Sequence, residues 1–84
     1  RKTVRVGFKT GTHDLEFKAK KVDEFLNEGN IVKIELTLRG REKALAHLGK
    51  DRLNNFIKFI KEEFTIQDNI KRSPFGWTIM IKKM

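Results

Sequence analysis

The 84-residue sequence has no cysteine, a single proline, a single tryptophan, only two histidines, and one serine, Ser73. Without cysteine there are no disulfides, thiolate metal sites or cysteine nucleophiles, a usage that fits a reducing compartment. No apolar run approaches the roughly 20 residues that a membrane-spanning helix needs, and no secretory leader is visible. The expected location is therefore cytoplasmic (or an organelle matrix), with no membrane partner. His13 and His47 lie in different segments, without the spacing that places two imidazoles on one metal, so no metal site and no cofactor are expected. Ser73 sits in a turn-forming stretch with no histidine and carboxylate tied to it, and the adjacent acids Asp23-Glu24 and Glu62-Glu63 would point about 100° apart on a helix. No catalytic residue and no small-molecule substrate emerge: the chain reads as non-enzymatic.

What is abundant is positive charge. Nineteen Lys and Arg stand against eleven Asp and Glu, a net charge of +8, and 36% of residues are charged, where about 25% is usual. The excess comes in blocks: +5 over residues 1–21, −3 over 22–37, +5 over 38–61, −3 over 62–70 and +4 over 71–84. A fold that gathers the three basic blocks on one side makes a surface for a polyanion, nucleic acid first and an acidic protein second. The length suits one core and one small domain, too small for a large enclosed site. The chain opens on Arg1 rather than methionine, as a piece excised from a longer protein would.

Hydrophobic periodicity sets the expected elements. Thr3 to Phe8 alternates with Val4, Val6 and Phe8 on one side; Asp14 to about Glu28 carries Leu15, Ala19, Val22, Phe25 and Leu26 on one helical stripe, with Thr12 as N-cap and Gly29 as terminator. Ile31 to Leu38 alternates again. A second helix is expected from roughly Leu45, or as late as His47, to Phe64, with Ala46, Gly49, Leu53, Phe56, Ile57, Ile60 and Phe64 on its core stripe. Thr65 to Arg72 and Trp77 to Lys82 read as strands around the turn Ser73-Pro74-Phe75-Gly76. The order βαβαββ predicts an α+β two-layer sandwich, a four-stranded mixed sheet with two helices packed on one face. The other face would be open and mostly polar, bearing Arg5, Gly7, Lys33, Glu35, Thr37, Arg39, Thr78, Met80 and Lys82.

Candidate RNA-contacting residues follow from this layout. Arg5 lies on the open face, and Lys9 sits beside the free amides of a helix start, in a "GFKTGT" stretch that lacks the spacing of a nucleotide-hydrolysing P-loop. In the first helix Lys18, Lys20 and Lys21 precede Asp23, Glu24 and Glu28, the reverse of what the helix dipole favours. Phe17 falls opposite the core stripe near Lys20 and Lys21, where it either stacks on an unpaired base or packs under the N-terminal strand or the Gly11 loop. Lys50 lies on a flank of the second helix with His47, Asn54, Lys58 and Lys61, a flank that a solvated face explains equally well. Lys71 and Arg72 border the last turn with Phe75; Trp77 either closes the core with Ile79 or stacks on a base. In "LTLRGRE", Arg39 and Arg41 are two apart, so a continuing strand would put both on one face around a bare Gly40, with Glu42 able to pair with either.

The stretches "THDLEFKAKK" and "FLNEGNIVKIELTLRGRE", followed by Leu48-Gly49 and Leu53, resemble the C-terminal domain of bacterial translation initiation factor 3. The residues that carry the likeness are His13, Asp14, Lys18, Phe25, Leu26, Gly29, Val32, Lys33, Arg39, Gly40, Arg41, Glu42, Leu48, Gly49 and Leu53, within a match over about residues 3–60. The resemblance implies the same βαβαββ sheet. It also implies binding to ribosomal RNA of the small subunit, with ribosomal proteins nearby, by a monomer that blocks joining of the large subunit and favours initiator tRNA at the start codon. The contacts it carries over are Lys9, Lys18, Lys20 in place of a common arginine, Arg39 and Arg41. Family members often have arginine where this chain has Gly7, Glu24, Thr37, Asn55 and Trp77, and their last turn differs from "IKRSPFG". The alternative function is a protein-interaction module whose basic surface docks an acidic partner.

Overall fold

A computed structural model describes residues 1–84. The elements are β1 (Lys2–Gly7), α1 (Thr12–Asn27), β2 (Val32–Thr37), a 3-10 turn (Gly40–Leu45), α2 (Ala46–Ile57), β3 (Phe64–Ser73) and β4 (Gly76–Lys83). The four strands form one sheet in the order β1-β2-β4-β3, with β1 parallel to β2 and the other neighbours antiparallel. This is the expected mixed sheet with two helices. Alternation along β1 and β2 sends Val4, Val6, Val32, Ile34, Leu36 and Leu38 into a core cluster shared with Ala19, Val22 and Leu26 of α1 and Leu53 and Phe56 of α2.

Helix α1 begins two residues ahead of the expected start. Gly11, not Thr12, is its N-cap, and no side chain caps that end. Its C-terminus follows the sequence: Gly29 adopts φ +85°, its N–H donates to the Leu26 carbonyl at 2.9 Å, and the Asn30 N–H reaches the Phe25 carbonyl at 3.1 Å. This pair of bonds is a Schellman motif. Gly49 is buried in the first turn of α2 because side chains crowd it: a Cβ would lie 2.9 Å from Leu36 Cδ2 and 3.1 Å from Trp77 Cδ1.

The second helix is shorter than its periodicity predicts, ending at Ile57 instead of Phe64. Its last turn tightens through i→i−3 bonds from Lys58, Phe59 and Ile60. The Lys61 and Glu62 amides then both donate to Asp23 Oδ1 on α1, each at 3.0 Å. That clamp turns the chain into β3, so Phe64, expected on the helix, starts a strand, and Ile60 packs against the core from the connecting loop.

The two sheet edges differ. On β1, Thr10 takes both backbone groups of Gly7 (Gly7 N–H to Thr10 Oγ1, 2.9 Å; Thr10 N–H to the Gly7 carbonyl, 3.1 Å), and Lys18 Nζ donates to the Arg5 carbonyl at 2.8 Å. On β3 the pairing with β4 shifts register between Ile66 and Asp68 and again between Asp68 and Lys71, irregularities that twist an edge strand.

Candidate nucleic-acid interface

Three ion pairs engage three of the 19 basic side chains: Arg5–Glu35 at 3.3 Å, Lys33–Glu35 at 3.4 Å and Lys71–Asp68 at 2.9 Å. Solvent-exposed pairs of this kind contribute about 1 kcal/mol or less. Every other lysine and arginine is without a carboxylate at ion-pair distance, so the +8 charge is spread over the surface almost unneutralised.

The first concentration lies on the open face of the sheet, toward the ends of β1 and β2. There a shallow groove of about 940 Å³ is bordered by Arg5, Lys9, Lys18, Lys33 and Arg39, with Glu35 and Glu42 as its acids. Arg5 and Lys33 share Glu35, while Lys18 is held by the Arg5 carbonyl. Lys9 and Arg39 have no carboxylate partner.

The Arg-Gly-Arg-Glu segment departs from the expectation of a continuing strand. The last rungs of β2 are Gly7↔Thr37 and Thr37↔Gly76, and with no strand alongside, the chain folds into the 3-10 turn. Arg39 and Arg41 therefore do not share a strand face. Gly40 takes φ +52°, in open space where a Cβ would touch nothing, so conformation and not crowding calls for glycine. Glu42, able by sequence to pair with either arginine, pairs with neither side chain: its Oε1 accepts the Arg39 backbone N–H at 2.9 Å, and its own N–H donates to the Arg39 carbonyl at 2.9 Å. Arginine has no acceptor, so this is one half of a capping box. The exposed side chains of Arg39 and Arg41 carry none of the turn's hydrogen bonds.

On α1, Phe17 is 62% exposed, so it packs neither under the N-terminal strand nor against the Gly11 loop. Lys20 and Lys21, also exposed, follow it at i+3 and i+4 and share its flank.

A third concentration lies on the helix-bearing side. Trp77 is half-buried against the core and donates Nε1–H to the Ala46 carbonyl at 2.6 Å, settling its place as a packing residue. Two cations stand over its ring, Lys50 Nζ at 5.8 Å and Arg72 Cζ at 5.5 Å from the centroid, an arrangement that orders both cations. Lys71 and Arg72, neighbours in sequence, face opposite sides, because Arg72 pairs with Trp77 and Lys71 with Thr78. Sequence reasoning missed Arg52. Its guanidinium lies 4.7 Å from the Phe8 ring centroid and donates to the Phe8 carbonyl at 3.5 Å, and it joins Lys9, Asn55 and Lys58 in a second groove of about 650 Å³. Its spacing three residues before Asn55 on a helix was the available signal.

Fold and surface together define a small α+β domain with a strongly basic surface whose cations are largely unpaired. The family model described as "Translation initiation factor IF-3, C-terminal domain" matches residues 1–83, and the chain belongs to that family. It is similar to translation initiation factor IF-3 of Mycoplasma capricolum subsp. capricolum, 46% identical over 61 residues, covering 73% of this chain and 34% of that protein. The same protein of Borrelia garinii subsp. bavariensis is 46% identical over 61 residues, covering 73% of this chain and 33% of the relative. That of Mesoplasma florum is 44% identical over 70 residues, covering 83% and 39%. The chain thus spans between a third and two fifths of the length of these relatives. The family is that of a translation initiation factor domain and not of an enzyme.

Proposed function

We propose that residues 1–84 are the ribosome-binding C-terminal domain of a longer initiation factor, acting as a monomer in the cytoplasm by binding ribosomal RNA of the small subunit. Bound there, it hinders premature joining of the large subunit and favours initiator tRNA at the start codon. The observation that supports this reading best is the unspent charge: three carboxylate pairings for 19 basic side chains, in a chain of this family. Arg5, Lys9, Lys18 and Arg39 on the open-face groove, Gly40 and Arg41 in the turn, Phe17, Lys20 and Lys21 on α1, Lys50 and Arg72 at Trp77, and Lys71 beyond them are the contacts this reading assigns.

If about five phosphates are neutralised, log affinity for small subunits falls with log salt at a slope near −4. A slope near zero, or binding that free RNA does not displace, would instead favour an acidic protein partner. Footprinting the domain on small subunits then locates the contacted nucleotides.

A further inference from the structure

Phe75 occupies the tip of the β3–β4 hairpin with 68% of its surface exposed, more than any other aromatic side chain in the molecule. Nothing in the core requires it, yet its backbone is held firmly. The Phe75 carbonyl accepts the Leu38 N–H at 2.7 Å, and the Arg72 guanidinium donates to the neighbouring Gly76 carbonyl at 2.9 Å. Gly76 itself packs so closely on β2 that a Cβ would collide with the Leu36 carbonyl oxygen. An apolar ring is thus presented to water from an anchored support, at the border of the open-face groove.

The groove supplies the complementary chemistry. Phe8 and Leu38 also border it but are buried, so Phe75 is its one exposed aromatic face. Of its five cations, Arg5 and Lys33 pair with Glu35 and Lys18 is held by the Arg5 carbonyl, which leaves the side chains of Lys9 and Arg39 without a partner, and Thr37, Ser73 and Thr78 also line it. We propose that this groove receives an unpaired RNA nucleotide, its base stacked on Phe75 and the adjoining phosphates held by Lys9 and Arg39. Stacking is indifferent to base identity because every base has a π-face, while the fork of arginine and the ammonium of lysine both suit phosphate oxygens. The proposal rests on the RNA-binding reading above and adds to it a single-stranded site on the sheet, separate from Lys20 and Lys21 of α1.

The test uses the 84-residue chain and two labelled probes with equal phosphate number, hexaadenylate and an abasic ribose-phosphate hexamer, measured by fluorescence anisotropy. Phe75→Ala is expected to weaken hexaadenylate binding about 10-fold and leave the abasic probe unaffected, with Phe75→Tyr restoring affinity. Lys9→Ala with Arg39→Ala should weaken both probes alike. Should Phe75→Ala unfold the domain, crosslinking of a 4-thiouridine oligomer to the unaltered protein decides, and adducts absent from residues 73–76 overturn the proposal. If Phe75→Ala folds and binds both probes as the unaltered chain does, or loses both equally, the stacking site is wrong and the wider RNA reading stands. If the unaltered chain binds neither probe nor small subunits at low salt, both fall together.

Discussion

The Arg-Gly-Arg-Glu turn divides its work between residues in a way that two variants can separate. Replacing Arg39 and Arg41 together with alanine removes two exposed side chains that hold none of the turn's hydrogen bonds. Exposed substitutions of this kind fall within about 0.5 kcal/mol of zero, and two of them at about 0.2 kcal/mol each would lower the melting temperature by only about 2–3 °C. Two charge-assisted contacts at about 1.5 kcal/mol each give roughly a 100-fold loss of affinity for small subunits. The salt slope should become shallower by about 1.5 as two phosphate contacts disappear. Glu42→Ala does the opposite. It strips the acceptor from the Arg39 N–H, now bonded at 2.9 Å, which costs about 1 kcal/mol, or roughly 4–8 °C in a domain of this size. Binding at a temperature where the domain remains folded should be unchanged or tighter, since an acid beside the arginines has gone. Melting followed by circular dichroism and binding followed by sedimentation with small subunits give the four numbers. If the arginine variant melts as early as the Glu42 variant, or keeps its affinity, the separation of shape from charge in this turn is refuted.

Asp23→Ala should lower stability by about 2 kcal/mol, because one carboxylate oxygen holds both the Lys61 and Glu62 amides; Asp23→Asn, which keeps an acceptor, should lose less, and hydrogen exchange at those two amides checks the cause. Gly76→Ala should cost about 3 kcal/mol or more, since its Cβ would meet the backbone carbonyl of Leu36, whereas Gly40→Ala, with open space around it, should cost about 1 kcal/mol. A similar melting shift for the two glycine variants would contradict the distinction between crowding and conformation.

Where burial alternates or a stripe ends on glycine, the fold is legible in the sequence alone: Val32, Ile34, Leu36 and Leu38 all point into the core, and Gly29 stops α1. The misread boundaries share one physical origin, which is a partner remote in sequence. Apolar residues Ile60 and Phe64 continue the period of α2, but Asp23, 38 and 39 residues away, takes the amides that a longer helix would have used. Arg39 to Arg41 look like more strand until one sees that neither β1 nor β4 extends beside them. The site behaves the same way. Individual basic residues were nameable, and the exposure of Phe17 was one of two stated outcomes, whereas the meeting of Lys50 and Arg72 over Trp77 depends on three elements brought together only by folding. Arg52 escaped notice because its engagement with Phe8 crosses 44 positions.

The unequal sheet edges bear on how the molecule tolerates crowding. Stacking copies into an unlimited ribbon requires two receptive rims, one to give and one to accept, so that each added unit leaves a fresh template. Here Thr10 occupies both backbone groups of Gly7 and Lys18 the Arg5 carbonyl along β1, which makes β1 the less receptive of the two rims. A copy added at β3 would meet on its neighbour's β1 a template with part of its hydrogen bonds already taken. Lys18, assigned above as an RNA contact, thus also blunts one rim of the sheet.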